Sequence, residues 1–214
     1  MLPARHFYMI RHGETEANVA RVMAGHTDSP LTALGRSQAA CVQSVLQHLA
    51  IKPRAIIHSH LSRARDTASI LNETLGVPIH EERDLSEMHV GTFEGVAYED
   101  CGPLFEHGLD PEGGESHMHF IARIRRALSH ALAMQHRSVL IVSHGGVLAA
   151  LGKIYGIRVK HVFQNCHLYE FEPDSEHERF PWQVWQYDQT GNDGQTIIRN
   201  PAMLYHDALQ DMAS

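Results

Sequence analysis

Three short stretches combine residue types able to bind and attack an anion. They are Arg11-His12-Gly13, Ser59-His60-Leu61-Ser62-Arg63 and Ser143-His144-Gly145-Gly146. Guanidinium groups present planar forks that match phosphate oxygens. An unperturbed imidazole, with a pKa of about 6.5, is largely neutral at pH 7 and is then a competent nucleophile. The glycines Gly13 and Gly145, each next to a histidine, let backbone N–H groups approach an anion closely. Arg11, Arg63, His12 and His144 form one coherent chemical set only if the fold brings them together.

The surrounding pattern predicts that it does. Residues 6–10 form a short, mostly apolar run ending near Gly13, which suits a buried strand. Ala55-Ile56-Ile57-His58 reads as a second buried strand, and Ser138-Val139-Leu140-Ile141-Val142 as the clearest one. A helix with Thr32 as N-cap carries Leu34, Ala39, Val42, Val45, Leu46 and Leu49 before Lys52-Pro53. A second helix runs from about Ser62 to Leu75 and is closed by Gly76 and Pro78. Ser116 to His136 is helical in pattern, with Ile121, Ile124, Leu128 and Leu132 along one side, and another helix runs from Val147 to about Tyr155. Ile79 to Pro111 reads as an irregular insert over the top of the sheet.

Strands alternating with helices predict an α/β fold, a three-layer sandwich whose mainly parallel central sheet is flanked by helices. Leu168 to Phe171 and Trp182 to Tyr187 read as further strands. Gly191-Asn192-Asp193-Gly194 before Thr196-Ile197-Ile198 marks a C-terminal β-hairpin. Ligands of such sheets bind outside the carboxyl ends of the strands, where all three chemical stretches fall.

Composition narrows the function further. The 214 residues suit one domain spanning the whole chain, 1–214, without repeat or linker. A formal charge of −7 argues against nucleic-acid and polybasic membrane partners, and no apolar run is long enough to cross a bilayer. Cys41, Cys101 and Cys166 are three and widely spaced, which is no disulfide framework and fits a reducing compartment. With the first motif close to residue 1, a signal peptide has no room. The expected location is cytoplasmic.

Two other chemistries are weaker. His58-Ser59-His60 and His117-Met118-His119 are H-x-H pairs, but neither has cysteine or carboxylate partners at ligand spacing, so no metal site is expected. Trp182, Trp185 and Tyr187 read as hairpin packing rather than a base-stacking platform. The same strand, taken as a hairpin edge, offers a surface for a homodimer.

The chain resembles the histidine phosphatase superfamily, which includes cofactor-dependent phosphoglycerate mutases. The likeness covers most of the first 172 residues and rests on ordered blocks. They are Arg11 to Asn18, Gly25-His26-Thr27-Asp28-Ser29-Pro30-Leu31-Thr32, Ser59 to Ala64 with Thr67-Ala68, Leu85-Ser86-Glu87 with Gly91 and Glu94-Gly95, Gly113-Gly114-Glu115-Ser116, and Val142 to Gly146. A lone R-H-G is a weak signal; six blocks in order are a strong one. Ala24 and His60 depart from the glutamine and aspartate common at those positions, which bears on substrate contacts rather than on the reaction.

The resemblance implies a phosphomonoester hydrolase. His12 would become phosphohistidine while Arg11, Arg63 and His144 hold the non-bridging oxygens and Asn18 adds a donor. Gly13, Gly25, His26 and Gly145 would complete the substrate site. Glu87 would protonate the leaving oxygen and then deprotonate water, with Asp84, Glu94, Glu99 and Glu115 as rival carboxylates in the same insert. No metal and no cofactor is implied, and the partner is a small phosphorylated metabolite. The alternatives are a phosphoglycerate mutase and a binding module that has lost catalysis. Mutases of this type carry a larger insertion between the acidic block and Gly113-Gly114, where this chain has only Val96 to Glu112.

Overall fold

Strand β1 (Phe7–Arg11) divides the molecule, because successive side chains point to opposite faces. Phe7 and Met9 enter one hydrophobic cluster, whereas Tyr8 and Ile10 enter another. The computed structural model describes residues 1–102, 108–134, 138–157, 159, 162–176, 179–190 and 196–202. Strands β2 (Ile56–His58) and β4 (Leu140–Ser143) alternate in the same way: Ile57 and Ile141 join the first cluster, Ile56, Leu140 and Val142 the second. Both faces are therefore apolar, as expected of strands covered on two sides.

Helices supply the two covers. Helix α1 (Glu16–Ala20) is a short turn beside the site. Helices α2 (Ala33–His48) and α3 (Ser62–Leu75) cover the second cluster through Ala39, Val42, Val45, Leu46, Ala64, Ala68 and Leu71. Thr32 caps α2, its hydroxyl accepting from Gly35 N at 2.9 Å. Gly76 closes α3 in the left-handed region, φ +59°. On the other face lie α4 (His117–Met134) and α5 (Gly145–Ile154). The first buried residue of α4 is Phe120 rather than the expected Ile121, because 120, 124, 127, 128 and 131 follow the helical face more closely. Helix α5 begins two residues before Val147, so Gly145 and Gly146 form its first turn with His144 at the N-cap.

Among the described residues seven strands form one sheet in the order β3-β2-β4-β1-β5-β6-β7. Strands β3 (Ile79–Glu81), β2, β4 and β1 pair in parallel, whereas β5 (Leu168–Pro173), β6 (Trp182–Thr190) and β7 (Thr196–Pro201) continue the sheet antiparallel. The expected α/β sandwich is present. Two further details differ from the sequence reading. Ile79–Glu81, assigned to the irregular insert, is an edge strand too short and too exposed for its pattern to show. The Trp182 to Tyr187 strand is not an edge, since β5 and β7 flank it; a dimer cannot form through its backbone.

The aromatic group in β6 is packing. Trp182 is fully buried against Phe7, Phe171 and Phe180, and the Arg199 guanidinium lies 3.9 Å from the Trp185 ring centroid. The glycine turn expected at 191–194 lies outside the described residues; strands β6 and β7 on either side pair antiparallel. All three cysteines are free. Among the described residues no helix is long and apolar enough to cross a membrane.

Candidate active site

Strand register assembles the site. Arg11 ends β1 directly opposite Ser143, which ends the parallel strand β4. The next residue on each strand is a histidine, so His12 and His144 stand side by side, ring centroids 5.2 Å apart and inclined by 61°. Strand β2 borders β4 on the other side and leads through Ser59 into α3, whose first turn carries Arg63. Arg63 is 1 % exposed, and its guanidinium donates to Gly25 O at 2.8 Å and Thr27 O at 3.1 Å. It pairs with neither Asp66 nor Glu73. The Arg11 guanidinium is anchored on Phe163 O at 2.7 Å.

Burial sets the charge states. His12 Nδ1 lies 2.7 Å from Gly13 O, which can only accept, so Nδ1 carries the proton and Nε2 keeps its lone pair. Burial holds the His12 pKa well below its ordinary value, and the positive charges of Arg63 and Arg11 push the same way. For His144 burial again dominates, followed by Arg63, His12 and Arg11. Both imidazoles are neutral at pH 7.

Several buried polar atoms here have no hydrogen-bond partner among the described residues: Arg11 Nε, Ser143 Oγ and both nitrogens of His144. An unsatisfied buried polar group costs about 1–3 kcal/mol. Native folds rarely tolerate one without a functional reason, and here they are clustered. They suit the oxygens of an anion held between two arginines.

Glu87 follows the 3₁₀ turn Arg83–Leu85 and reaches the N-terminus of α5. Its carboxylate accepts from Gly146 N at 3.0 Å and Met88 N at 2.9 Å. A Cβ at residue 146 would lie only 2.1 Å from Glu87 Oε1, so only glycine leaves room for this carboxylate. Three of its four rivals are engaged elsewhere, and Glu99 is exposed. Glu94 accepts from His26 N and from the Thr27 hydroxyl, Glu115 pairs with Arg123, and Asp84 lies 3.5 Å from Arg126. Glu87 is also first among the charges that support the cationic form of Arg63.

The expected binding residues divide into two groups. Gly145 faces the Arg11 side chain. Gly13, Gly25 and His26 instead build the frame. The Gly13 N–H donates to Thr67 Oγ1 at 3.1 Å rather than facing an anion, and a Cβ there would sit 2.4 Å from Gly35 O. Gly25, at φ +52°, offers its carbonyl to Arg63, and His26 Nε2 donates to Glu87 O at 2.8 Å. Asn18 caps α1 in a reciprocal arrangement with Thr15, while its Nδ2 donates to the Tyr98 hydroxyl at 3.2 Å.

Sequence reasoning missed three supports, Thr67, Asn165 and Arg123. Asn165 Nδ2 donates to His12 O at 2.8 Å, and Arg123 grips the backbone of the Glu87 loop. Of these, only Thr67 lay inside a recognised block. One histidine of each H-x-H pair is engaged through its ring: His58 Nδ1 bonds Ser59 O, and His117 Nδ1 bonds Asp110 Oδ1. His60 places beside His26 a buried Nδ1 that has no partner among the described residues. Among the described residues no three His, Cys, Asp or Glu side chains group as a metal site.

Comparison with known proteins identifies the family. Residues 7–186 match the model of the histidine phosphatase superfamily (branch 1). The adenosylcobalamin/alpha-ribazole phosphatase of Salmonella typhimurium is 36% identical over 155 residues, covering 67% of this chain and 76% of that one. A probable phosphoglycerate mutase of Serratia proteamaculans is 34% identical over 217 residues, covering 92% and 96%. The mycobacterial glucosyl-3-phosphoglycerate phosphatase, solved with VO3, superposes with a TM-score of 0.70 at 28% identity, covering 84% of this chain and 97% of that one. The chain belongs to the histidine phosphatase superfamily.

Proposed function

We propose that the protein hydrolyses the phosphomonoester of a small metabolite through a phosphohistidine on His12. His12 Nε2 attacks phosphorus, and the bond to the leaving oxygen breaks as Glu87 gives that oxygen a proton. Arg11, Arg63 and His144 hold the three non-bridging oxygens, over which the transition state spreads its charge. The Glu87 carboxylate then takes a proton from water as the water attacks the phosphohistidine, releasing phosphate and restoring both residues. The arginines supply the positive charge, so the reaction needs no metal. We place the enzyme in the cytoplasm, in keeping with its three free cysteines.

The observation that carries this reading is the buried, neutral His12 with its free Nε2, set beside two arginines and the unpartnered donors of Arg11, Ser143 and His144. The Serratia relative favours a second reading, phosphoryl transfer between positions of a phosphoglycerate. The short segment from Val96 to Glu112 does not separate the two, since that relative is matched over nearly its whole length. Hydrolysis of p-nitrophenyl phosphate and of an alkyl phosphate in EDTA, by wild type and His12→Ala, tests the proposal. Turnover by wild type alone is expected. Turnover that survives in His12→Ala, or that EDTA abolishes, contradicts it, and phosphoglycerate isomerisation without net phosphate release would favour the mutase.

A further inference from the structure

Arg123 projects from α4 toward the backbone of the loop that carries Glu87. Its guanidinium has five N–H groups in a rigid fork, and every one finds an acceptor. Nη1 donates to Asp84 O at 2.7 Å and Ser86 O at 3.0 Å; Nη2 donates to Glu87 O at 3.1 Å and to Glu115 Oε1; Nε donates to Glu115 Oε2 at 3.2 Å. The Arg123 and Glu115 side chains are only 14% and 17% exposed. Glu115 also accepts from His89 N at 3.0 Å, tying the far end of the insert to the same point.

The loop needs such a clamp. Between the 3₁₀ turns Arg83–Leu85 and Gly91–Phe93 it has no regular structure, and its carbonyls at 84, 86 and 87 point toward α4 rather than along a ladder. On its other side the Glu87 carboxylate meets Gly146 N, with no room beyond the glycine. A shift of the backbone would therefore move the carboxyl group relative to the His12 site. Among the described residues none of the Arg123 hydrogen bonds reaches His12, Arg11, Arg63 or His144, so its influence passes through the Glu87 loop.

We propose that Arg123, fixed by Glu115, is a positioning residue that sets where the Glu87 carboxyl group stands and so governs proton delivery to the leaving oxygen. This rests on the reading of Glu87 as the proton donor. Misplacement of a reacting group by about 1 Å can cost ~10²-fold in rate. The loss appears where protonation matters, on alkyl phosphates with poor leaving groups, and fades on p-nitrophenyl phosphate. Phosphate-oxygen binding by Arg11, Arg63 and His144 is untouched.

The test compares kcat for an alkyl phosphate and for p-nitrophenyl phosphate in wild type, Arg123→Gln, Glu115→Gln, Glu87→Gln and the Arg123→Gln/Glu87→Gln double variant, with vanadate inhibition and melting recorded for each. Arg123→Gln should lose about 10²-fold on the alkyl ester, far less on the aryl ester, with vanadate inhibition unchanged. Glu115→Gln, which keeps side-chain shape, should show the same selectivity in smaller measure and serves if Arg123→Gln does not fold. In the Glu87→Gln background the Arg123 substitution should add no further selective loss. Equal losses on both esters, or additive losses in the double variant, overturn the proposal while leaving Glu87 as the acid. If Glu87→Gln shows no alkyl-selective loss, the acid role fails, and the proposal falls with it.

Discussion

Glu170 and His144 are both buried polar side chains at the sheet, 4% and 0% exposed, yet their surroundings are opposite. Glu170, on β5, accepts from His6 Nε2 at 2.7 Å, Tyr187 Oη at 2.8 Å, Arg199 Nε at 2.6 Å and Tyr8 Oη at 3.2 Å. Burial alone would raise its pKa, but the hydrogen bonds from His6, Arg199 and Tyr187 outweigh it and hold the carboxyl at about 2. His144 has two ring nitrogens without a partner among the described residues, and its neighbours Arg11 and Ser143 have one such atom each. The first cluster satisfies its charge from within the chain and so holds the sheet together. The second is completed only by something that brings oxygens of its own, which is what a phosphoryl group does.

The sharpest way to break that contrast is to remove one arginine from each cluster. Arg63→Ala should lower kcat/KM on any phosphomonoester by roughly 10³–10⁵-fold, the range of an arginine that stabilises phosphoryl transfer. Arg199→Ala should leave kcat/KM close to wild type. Steady-state kinetics of the two variants would decide it, and comparable losses in both would erase the distinction. Gly146→Ala comes next in size. Its methyl group would displace the Glu87 carboxylate, so kcat on alkyl esters should fall by about 10²–10⁴-fold, as for loss of a general acid.

Glu170→Ala probes the other side of the comparison. Removing one member of a buried charged cluster costs roughly 3–5 kcal/mol, and about 3 kcal/mol is expected because Arg199 is partly solvated. For a domain of this size that lowers the melting midpoint by about 6–12 °C. Activity below the new midpoint should be retained, and calorimetry paired with assay checks both halves.

The smallest effect is a separation of pH windows. His12 and His144 would protonate near 6.5 in the unfolded chain but only at lower pH when folded. Below pH 6.5 the unfolded chain therefore binds more protons, and stability falls with pH by up to ~1.4 kcal/mol per unit for each histidine. Glu170 acts later. Its contribution is whole above its ordinary 4.5 and is lost as pH falls from there toward about 2. Melting curves across this range should show the earlier decline weakened in His12→Gln and preserved in Glu170→Ala.

How much of this could be read from sequence depends on what each residue touches. The strands Phe7 to Ile10 and Leu140 to Val142 were legible because burial on both faces leaves continuous apolar runs. His12, Arg63 and His144 were legible because a parallel sheet delivers the ends of its strands to one rim. Strand β3 was not, since three residues at an edge carry no period. Arg123 and Asn165 were missed for a different reason: they bind backbone carbonyls, which leave no mark in the sequence around either partner. The Glu170 cluster draws on residues 6, 8, 187 and 199, and only the strand register brings those together.

The central claim is that His12 carries the phosphoryl group, and trapping it is the most direct measurement. Enzyme mixed with labelled phosphomonoester, quenched in alkali within one turnover and digested, should yield one phosphorylated peptide, the one containing His12, with an acid-labile, alkali-stable bond. The same experiment on His12→Ala should yield none. Label on another residue, or turnover in wild type with no phosphoenzyme formed at any time before phosphate release, would contradict the account.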